Sequence, residues 1–288
     1  MEANPFQASA WGRPGDEILL PDWMNPPTRE YVGFKTVNDT ELQDWTAEKW
    51  AEVEEISPWG WNPALRHRLE QLGAPVRLLP SKEEIEALRN LAHRRTTIAF
   101  NRMMGEKRLP CEIFSEDEGV EFWYANPGCW FKAPWSSSGR GVMCTQELNE
   151  HHVRPWIRGV VRRQGSVMAE AGVSKVLDFA TEWNMVDGVP VFLGYSYFEV
   201  SGRGKYKGNV LLGQHEILNI LNTYAATPVE RSMDLQCAAL STIVGTNYSG
   251  PLGIDMMIDK DGKIWGCVEI NLRRTMGHLS LKKVSPDK

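Results

Sequence analysis

Oxygen-bearing side chains near the end of the chain have the spacing of a metal site. Glu269 and Asn271 lie two residues apart in one apolar segment, and Asp255 lies in the apolar segment before it. Side chains two apart on a strand project from the same face, so a hairpin of these segments would present three oxygen ligands together. Mg²⁺ accepts such ligands alongside phosphate oxygens and water. The spacing predicts a magnesium site; the alternative is the solvated polar face of an edge hairpin.

A second group of residues could surround phosphate. Lys132 ends an aromatic segment, where an ammonium group is costly to bury unless an anion meets it. A loop rich in serine and glycine follows, and its backbone N–H groups and hydroxyls could enclose phosphate oxygens. An exposed Ser-Gly loop is the alternative, and the adjacent Lys132 favours the phosphate interpretation. The loop residues are Ser136, Ser137, Ser138, Gly139, Arg140 and Gly141.

Acidic residues in the middle of the chain form a third candidate group. Asp178, Glu182 and Asn184 share one face of a predicted strand because side chains alternate along a strand, and Glu170 ends the strand before it. These side chains could meet ribose hydroxyls or a second metal. Taken alone, they are equally compatible with ordinary polar sheet positions.

The elements that must position these groups are predicted from capping and periodicity. Before residue 104 we expect a helix at 41–55, a helix from Asn62 and Pro63 to Gly73, a strand at 76–79, and a helix that a capping box opens at Ser81 and continues to about residue 103.

The later part of the chain reads as hairpins with helices between them, which predicts an α+β class with mainly antiparallel sheets. We expect strands at 122–124, 129–133, 167–170, 179–186, 189–200, 253–258 and 263–271, and helices at 153–164, 216–225 and 231–244. A turn at Asp187 and Gly188 should join the strands at 179–186 and 189–200.

Composition limits the classes of partner. A formal net charge of -5 argues against a nucleic-acid backbone as the partner. No apolar run reaches the roughly 20 residues that a membrane helix requires. The five cysteines are scattered and lack a C-x-x-C pair, so neither a disulfide framework nor a zinc site is indicated, and the cytoplasm is the expected compartment. The sequence carries no signal of oligomeric state.

The order of these pieces resembles the ATP-grasp superfamily. The likeness rests on Lys132 with its Ser/Gly loop, a strand ending in Glu170, an acidic residue eight positions later, and the segments around Asp255 and residues 268–273. The sequence WGWN at 59–62 and residues 91–95 further resemble a pre-ATP-grasp region. The resemblance implies two α+β lobes with mainly antiparallel sheets over 81–288, preceded by a small α/β pre-ATP-grasp region over 1–80.

The resemblance also implies roles and ligands. ATP and Mg²⁺ would be the cofactors, and small-molecule carboxylate and amine compounds, such as amino acids or peptides, would be the substrates of a carboxylate-amine ligase. The implied roles are phosphate contact for Lys132, a lid for 136–141, adenine contact for Glu170, ribose contact for Asp178, metal binding for Asp255, Glu269 and Asn271, stabilisation of the γ-phosphoryl group for Arg273, and a grip on the substrate carboxylate for Arg274.

Departures from the family pattern leave alternatives open. Leu272 stands where many members have proline, the spacing from Asp255 to Glu269 is one residue longer than the commonest one, and the usual first lysine has only Arg94 or Arg95 as a substitute. The WSS sequence at 135–137 also resembles a divergent branch that includes a translation-factor assembly chaperone. A nucleotide-binding assembly or scaffold protein without ligase turnover, or an ATP-dependent kinase, therefore remains an alternative to the ligase.

Overall fold

The computed structural model describes residues 5–20, 30–31, 34–136, 141–200 and 206–284. The chain divides into two compact units, residues 1–89 and residues 90–288. Compactness does not identify domain types, so the division into a pre-ATP-grasp region over 1–80 and an ATP-grasp domain over 81–288 stays a proposal. Within the described residues, no helix is both long enough and apolar enough to cross a membrane.

The first unit contains a small sheet and short helices. Strand β1 pairs in parallel with β3, which also pairs with the antiparallel strand β2. The helix predicted at Asn62 is confirmed: Oδ1 of Asn62 accepts a hydrogen bond from N of Leu65 at 3.0 Å, and Pro63 is the first helical residue. The elements are β1 (Glu17–Leu20), β2 (Glu30–Tyr31), β3 (Phe34–Asn38), α1 (Asp39–Gln43), α2 (Ala47–Ala51) and α3 (Pro63–Gln71), with 3-10 turns at Pro5–Ala10 and Val76–Leu78.

Two predictions for this unit are wrong. The strand expected at 76–79 is a 3-10 turn, because N of Leu78 bonds O of Pro75 at 2.9 Å and closes the backbone locally. The helix expected at 41–55 is two short helices, because Thr46 caps a second helix by accepting a hydrogen bond from N of Lys49.

A break replaces the middle of the helix predicted between 81 and 103. The capping box is confirmed, since Ser81 and Glu84 exchange side-chain and backbone hydrogen bonds of 2.6 and 3.0 Å. Helix α4 (Lys82–Leu91) then ends, and α5 (Thr96–Met103) begins after four intervening residues. Between them N of Arg94 bonds O of Pro134 at 3.2 Å instead of a helical carbonyl.

The second unit contains a four-stranded antiparallel sheet in the order β4-β7-β5-β6. Phe131, Ile157 and Val167 lie in the core between this sheet and two helices. The strand expected at 122–124 is wrong: those residues lie in α6, which Ser115 caps and whose Gly119 packs on Ile157. The elements are β4 (Cys111–Ile113), α6 (Glu116–Ala125), β5 (Trp130–Lys132), β6 (Val142–Cys144), α7 (Glu150–Gln164) and β7 (Val167–Glu170).

A five-stranded antiparallel sheet follows in the order β10-β9-β8-β11-β12. Its predicted β8–β9 turn is confirmed, since Asp187 and Gly188 have φ values of +50° and +80°, as a tight hairpin turn requires. The elements are β8 (Lys175–Val186), β9 (Val189–Val200), β10 (Tyr206–Val210), α8 (Gln214–Tyr224), α9 (Arg231–Ile243), β11 (Gly250–Asp259), β12 (Ile264–Asn271) and α10 (Met276–Val284). The predicted α+β class with mainly antiparallel sheets is confirmed.

Alternation gives the five-stranded sheet two different faces. Thr181 on β8 bonds Gln236 of α9 at 3.0 Å, so odd-numbered residues of β8 face the helical layer. Glu182 bonds Thr275 just before α10 at 2.7 Å, so even-numbered residues face the other way. Asp255 pairs with Ala180 and therefore lies on this second face, which carries the candidate site.

Candidate functional site

The hairpin of β11 and β12 brings the three predicted metal ligands together. Asp255 lies directly opposite Glu269, and Gly253 lies opposite Asn271, so all three side chains project from one face. Asn271 links the group, because it hydrogen-bonds Asp255 and its Oδ1 accepts a bond from Nη2 of Arg273 at 2.7 Å. In the described part of the chain, no group of three or more His, Cys, Asp or Glu side chains has the arrangement of a metal site. The candidate ligands here are two carboxylates and one amide.

Electrostatics make this group suited to a cation. Burial raises the pKa of Asp255 from 3.8 to about 7, and the charges of Glu269 and Glu182 add to the rise, whereas Arg273 and Asn271 oppose it. Asp255 nevertheless keeps some access to solvent. A divalent ion would favour the ionised carboxylates by its own charge. The donor set therefore fits a hard cation that takes its other ligands from phosphate and water.

Asp255, Glu269 and Asn271 are called the metal-ligand group below, because they are the candidate metal ligands. Arg94 joins this group to the Ser/Gly loop. Its Nη2 atom lies 2.8 Å from Oε1 of Glu269 and 3.0 Å from Oγ of Ser136, and Nε donates to O of Ala133 at 3.1 Å. The side chain of Arg94 is only 7% exposed, whereas that of Arg95 is 54% exposed and pairs with Glu112. Of the two arginines proposed as substitutes for the usual first lysine, Arg94 is therefore the one that contacts the metal-ligand group.

Lys132 and Glu170 form a close pair on neighbouring strands of the four-stranded sheet. Nζ of Lys132 lies 2.6 Å from Oε2 of Glu170, so the anion that meets this buried ammonium is a protein carboxylate. The Ser/Gly loop begins and ends in defined places, since N of Ala133 donates to O of Gly141 at 2.7 Å. The predicted loop residues at 137–140 lie outside the described residues.

A cavity of about 830 Å³ is lined by residues of the four-stranded sheet, of the five-stranded sheet and of the segment that joins the two sheets. Asp178 lines it and forms a 2.6 Å ion pair with Lys175, while burial raises the pKa of Asp178. Sequence analysis missed several lining residues, although Trp130 lies two positions before Lys132 and strand alternation would have placed it on the same face. The lining residues that the sequence did not indicate include Trp130, Cys144, Tyr197 and Phe198.

The two arginines after β12 lie beside the metal-ligand group. Nη1 of Arg273 donates to O of Arg274 at 3.0 Å, and Nη2 binds Asn271. Burial raises the pKa of Tyr248, whereas the positive charges of Arg274 and Arg273 oppose the rise, so Tyr248 lies close to both. The bond to Asn271 places Arg273 beside the metal-ligand group, and Arg274 is the next residue along the chain.

Glu182 does not belong to the cavity that Asp178 lines, although alternation puts both on one face. Its side chain is 1% exposed and accepts hydrogen bonds from Ser196 and Thr275. Of the two interpretations left open for Glu182, the ordinary polar sheet position is the one that the structure favours, because protein hydroxyls already donate to its oxygens.

Comparison with known proteins gives a fold but no family model. No family model matches the chain, and no curated protein matches it. Among solved structures, N5-carboxyaminoimidazole synthetase from Staphylococcus aureus has a TM-score of 0.60 at 12% identity, over 95% of this chain and 68% of that one. Biotin carboxylase from Campylobacter jejuni has a TM-score of 0.56 at 15% identity, over 82% and 52%. D-alanyl-alanine synthetase A from Vibrio cholerae has a TM-score of 0.52 at 14% identity, over 78% and 68%.

These similarities identify the architecture as the ATP-grasp fold, as the sequence resemblance predicted. The chain spans about half of the biotin carboxylase chain and about two thirds of each synthetase chain.

Proposed function

We propose that this chain binds Mg-ATP in the cleft between its two antiparallel sheets and activates a small-molecule carboxylate for attack by an amine. The observation that carries the proposal is the close association of oxygen ligands with two arginine side chains. Asp255, Glu269 and Asn271 lie on one hairpin face, with Arg94 and Arg273 in direct contact with them. Such a site can neutralise a triphosphate and hold it in a fixed orientation.

Asp255, Glu269 and Asn271 would hold the metal. Bound there, Mg²⁺ would neutralise phosphate oxygens on which negative charge develops during transfer. The raised pKa of Asp255 supports this assignment, because a carboxylate that is costly to ionise gains most from a neighbouring cation. Arg94 bridges Glu269 and Ser136 and would be available to contact phosphate if the metal bound Glu269.

The cavity would take the base and ribose. The indole of Trp130 offers a surface for stacking on a base, which is energetically favourable for any base. Asp178 would accept hydrogen bonds from ribose hydroxyls. Lys132 would contact phosphate, and Glu170 would hold the exocyclic amine of adenine, so the 2.6 Å pair that they form would loosen when nucleotide binds.

Arg273 and Arg274 would act at the reacting end. Arg273 is already oriented by Asn271 and would stabilise charge on the transferring phosphoryl group. Arg274 would bind the substrate carboxylate, for which a guanidinium is geometrically well matched. The carboxylate oxygen would attack the γ-phosphorus and ADP would leave, giving an acyl phosphate; an amine would then attack the acyl carbon, displace phosphate and lose a proton. The roles of these chain residues are positioning and charge neutralisation.

Proteins of the same fold support a ligase. The solved relatives include synthetases of N5-carboxyaminoimidazole in complex with ADP and of D-cycloserine, and a 2-oxoglutarate carboxylase domain with MgADP and bicarbonate. All share 12 to 13% identity with this chain, so they support a reaction type and not a substrate. The cytoplasm remains the proposed compartment.

Turnover with a panel of acceptors tests the proposal. Purified protein with ATP, Mg²⁺ and pairs of amino acids should release ADP and phosphate with at least one pair. Glu269→Gln should abolish the release, whereas Asp261→Asn, in the exposed turn of the same hairpin, should not change it. Turnover that persists in Glu269→Gln would contradict the metal assignment.

An ATP-binding assembly protein is the second candidate. Two of the candidate phosphate cations already have carboxylate partners, Lys132 with Glu170 and Arg94 with Glu269, and these ion pairs would compete with the close phosphate contacts that phosphoryl transfer requires. Mg-ATP binding without ADP formation from any acceptor would support this candidate. A phosphorylated acceptor in place of a condensed product would instead identify a kinase.

A further inference from the structure

A buried carboxylate lies beneath α10, next to the metal-ligand group. The side chain of Glu182 is 1% exposed, and its oxygens accept hydrogen bonds from Oγ of Ser196 at 2.8 Å and Oγ1 of Thr275 at 2.7 Å. Burying a carboxylate is costly unless such bonds compensate it, and bonds to an ionised group are stronger than those between neutral groups. Glu182 therefore holds Thr275 firmly against β8.

Helix α10 rests directly on this carboxylate. A Cβ atom at Gly277 would overlap Oε1 of Glu182, and one at Gly253 would lie 2.8 Å from Oε2. Glycine at both positions lets the first turn of α10 and strand β11 enclose Glu182. The contact is thus built into the packing of three elements.

Hydrogen bonds of Thr275 connect Glu182 to the first turn of α10 and to the residues that precede this helix. Its hydroxyl donates to Glu182 and accepts from N of Gly277 at 3.1 Å and N of His278 at 3.4 Å. Nδ1 of His278 accepts from N of Thr275 at 3.1 Å. The residues immediately before Thr275 are Arg273 and Arg274, so the anchor fixes the end of the segment that carries both.

We propose that Glu182 is a positioning residue, which holds Thr275 and so orients Arg273 and Arg274 toward the reacting phosphate and carboxylate. The proposal rests on the function proposed above and deepens it. Asn271 fixes the segment at one end, through Arg273, and Glu182 fixes it at the other, through Thr275. Loss of the second anchor would displace the arginines and leave the base and ribose contacts intact.

Replacement of Thr275 provides the cleanest test, since a change at Glu182 would also alter the charge beside Asp255. Thr275→Val removes the hydroxyl and keeps the shape, and Thr275→Ser restores the hydroxyl. Thr181→Val is the matched control, because Thr181 is also buried and also donates one hydrogen bond, to Gln236 at 3.0 Å, but on the opposite face of β8.

The measurement is the ratio of affinities for a non-hydrolysable ATP analogue and for ADP, each with Mg²⁺, by calorimetry. If Arg273 contacts the γ-phosphate, Thr275→Val should weaken the triphosphate about tenfold, the loss expected for one charge-assisted hydrogen bond, with ADP affinity changed less than about twofold. Thr275→Ser should restore the wild-type ratio, and Thr181→Val should leave it unchanged.

Two further readouts separate positioning from general damage. The effects of Glu182→Gln and Thr275→Val should be non-additive in the double variant, because one would act through the other. Hydrogen exchange at the amides of Gly277 and His278, which bond Thr275, should be faster in Glu182→Met, which keeps the Thr275 hydroxyl and removes its acceptor, and unchanged in Thr181→Val.

Equal weakening of both nucleotides by Thr275→Val, or a ratio like that of Thr181→Val, would overturn the positioning role. If the wild-type protein binds neither nucleotide, the proposed function fails, and hydrogen exchange still decides the anchor. Faster exchange at Gly277 and His278 would then support it, and unchanged exchange would overturn it.

Discussion

Asp255→Asn should stabilise the metal-free protein while removing a metal ligand. Burial, Glu269 and Glu182 raise the pKa of Asp255 from 3.8 to about 7, so ionisation of this carboxyl opposes folding. The rise from 3.8 to about 7 corresponds to a folding penalty of about 4 kcal/mol, at about 1.36 kcal/mol for each pKa unit. Because Asp255 keeps some access to solvent, we expect a penalty of about 2–3 kcal/mol. The amide that replaces the carboxyl carries no charge, so the variant avoids this penalty.

The size of the effect depends on pH. A carboxyl whose folded-state pKa is raised has no penalty below about pH 4, a growing penalty between pH 4 and 7, and the full penalty above pH 7. Thermal unfolding in EDTA at pH 5 and pH 8 therefore measures it. At pH 8 the variant should melt several degrees above the wild type, by roughly 2–4 °C per kcal/mol, and at pH 5 the difference should be smaller.

Asp259→Asn is the matched control with the opposite sign. Asp259 lies on the same strand, and although burial opposes the effect, hydrogen bonds from Trp265 and from the backbone of Lys263 and Asp261 hold its pKa below the ordinary value. Its ionisation stabilises the fold above the unfolded-state pKa, so Asp259→Asn should melt lower at pH 8. An Asp255→Asn variant that melts at or below the wild type at pH 8, or a gain that does not change between pH 5 and 8, would refute the electrostatic argument.

Three other substitutions test separate parts of the cleft. Arg94→Met leaves Glu269 without this partner and should lower the free energy of unfolding in urea by about 2–3 kcal/mol, less than for a fully buried pair because Glu269 is partly exposed; unchanged stability would contradict the pair. Gly277→Ala should cost about 1–3 kcal/mol in thermal unfolding, because the new methyl group overlaps Glu182; a neutral effect would show that α10 can move away. Trp130→Ala should weaken Mg-ATP about tenfold in calorimetry, as loss of one stacking surface predicts, and unchanged affinity would place the base elsewhere.

Local patterns predicted the parts of the fold that depend on local chemistry. The cap at Asn62, the capping box at Ser81 and the turn at Asp187 and Gly188 each need particular residues within a few positions, and all three are present. The prediction of a strand at 122–124 was wrong because the aromatic residues of this segment fit a strand or a helix equally well. Its helix follows from the cap at Ser115, outside the segment itself.

The candidate site was predictable where it follows one hairpin. Asp255, Glu269 and Asn271 were expected on one face from the period of a strand alone. The contact of Arg94 with Glu269 joins residues far apart in the chain and depends on a break between two helices, which no local periodicity signals. The role of Glu182 was left open by the sequence for the same reason, because Thr275, which bonds it, lies 93 residues later.

Magnesium-dependent binding of ATP is the most direct test of the proposed site. Calorimetry with the wild type should show ATP binding with Mg²⁺ and at least about tenfold weaker binding in EDTA, because the phosphates would otherwise face two carboxylates. Glu269→Gln should bind weakly under both conditions, and Asp261→Asn should match the wild type. ATP binding that does not depend on Mg²⁺, or a Glu269→Gln variant that binds like the wild type, would contradict the account.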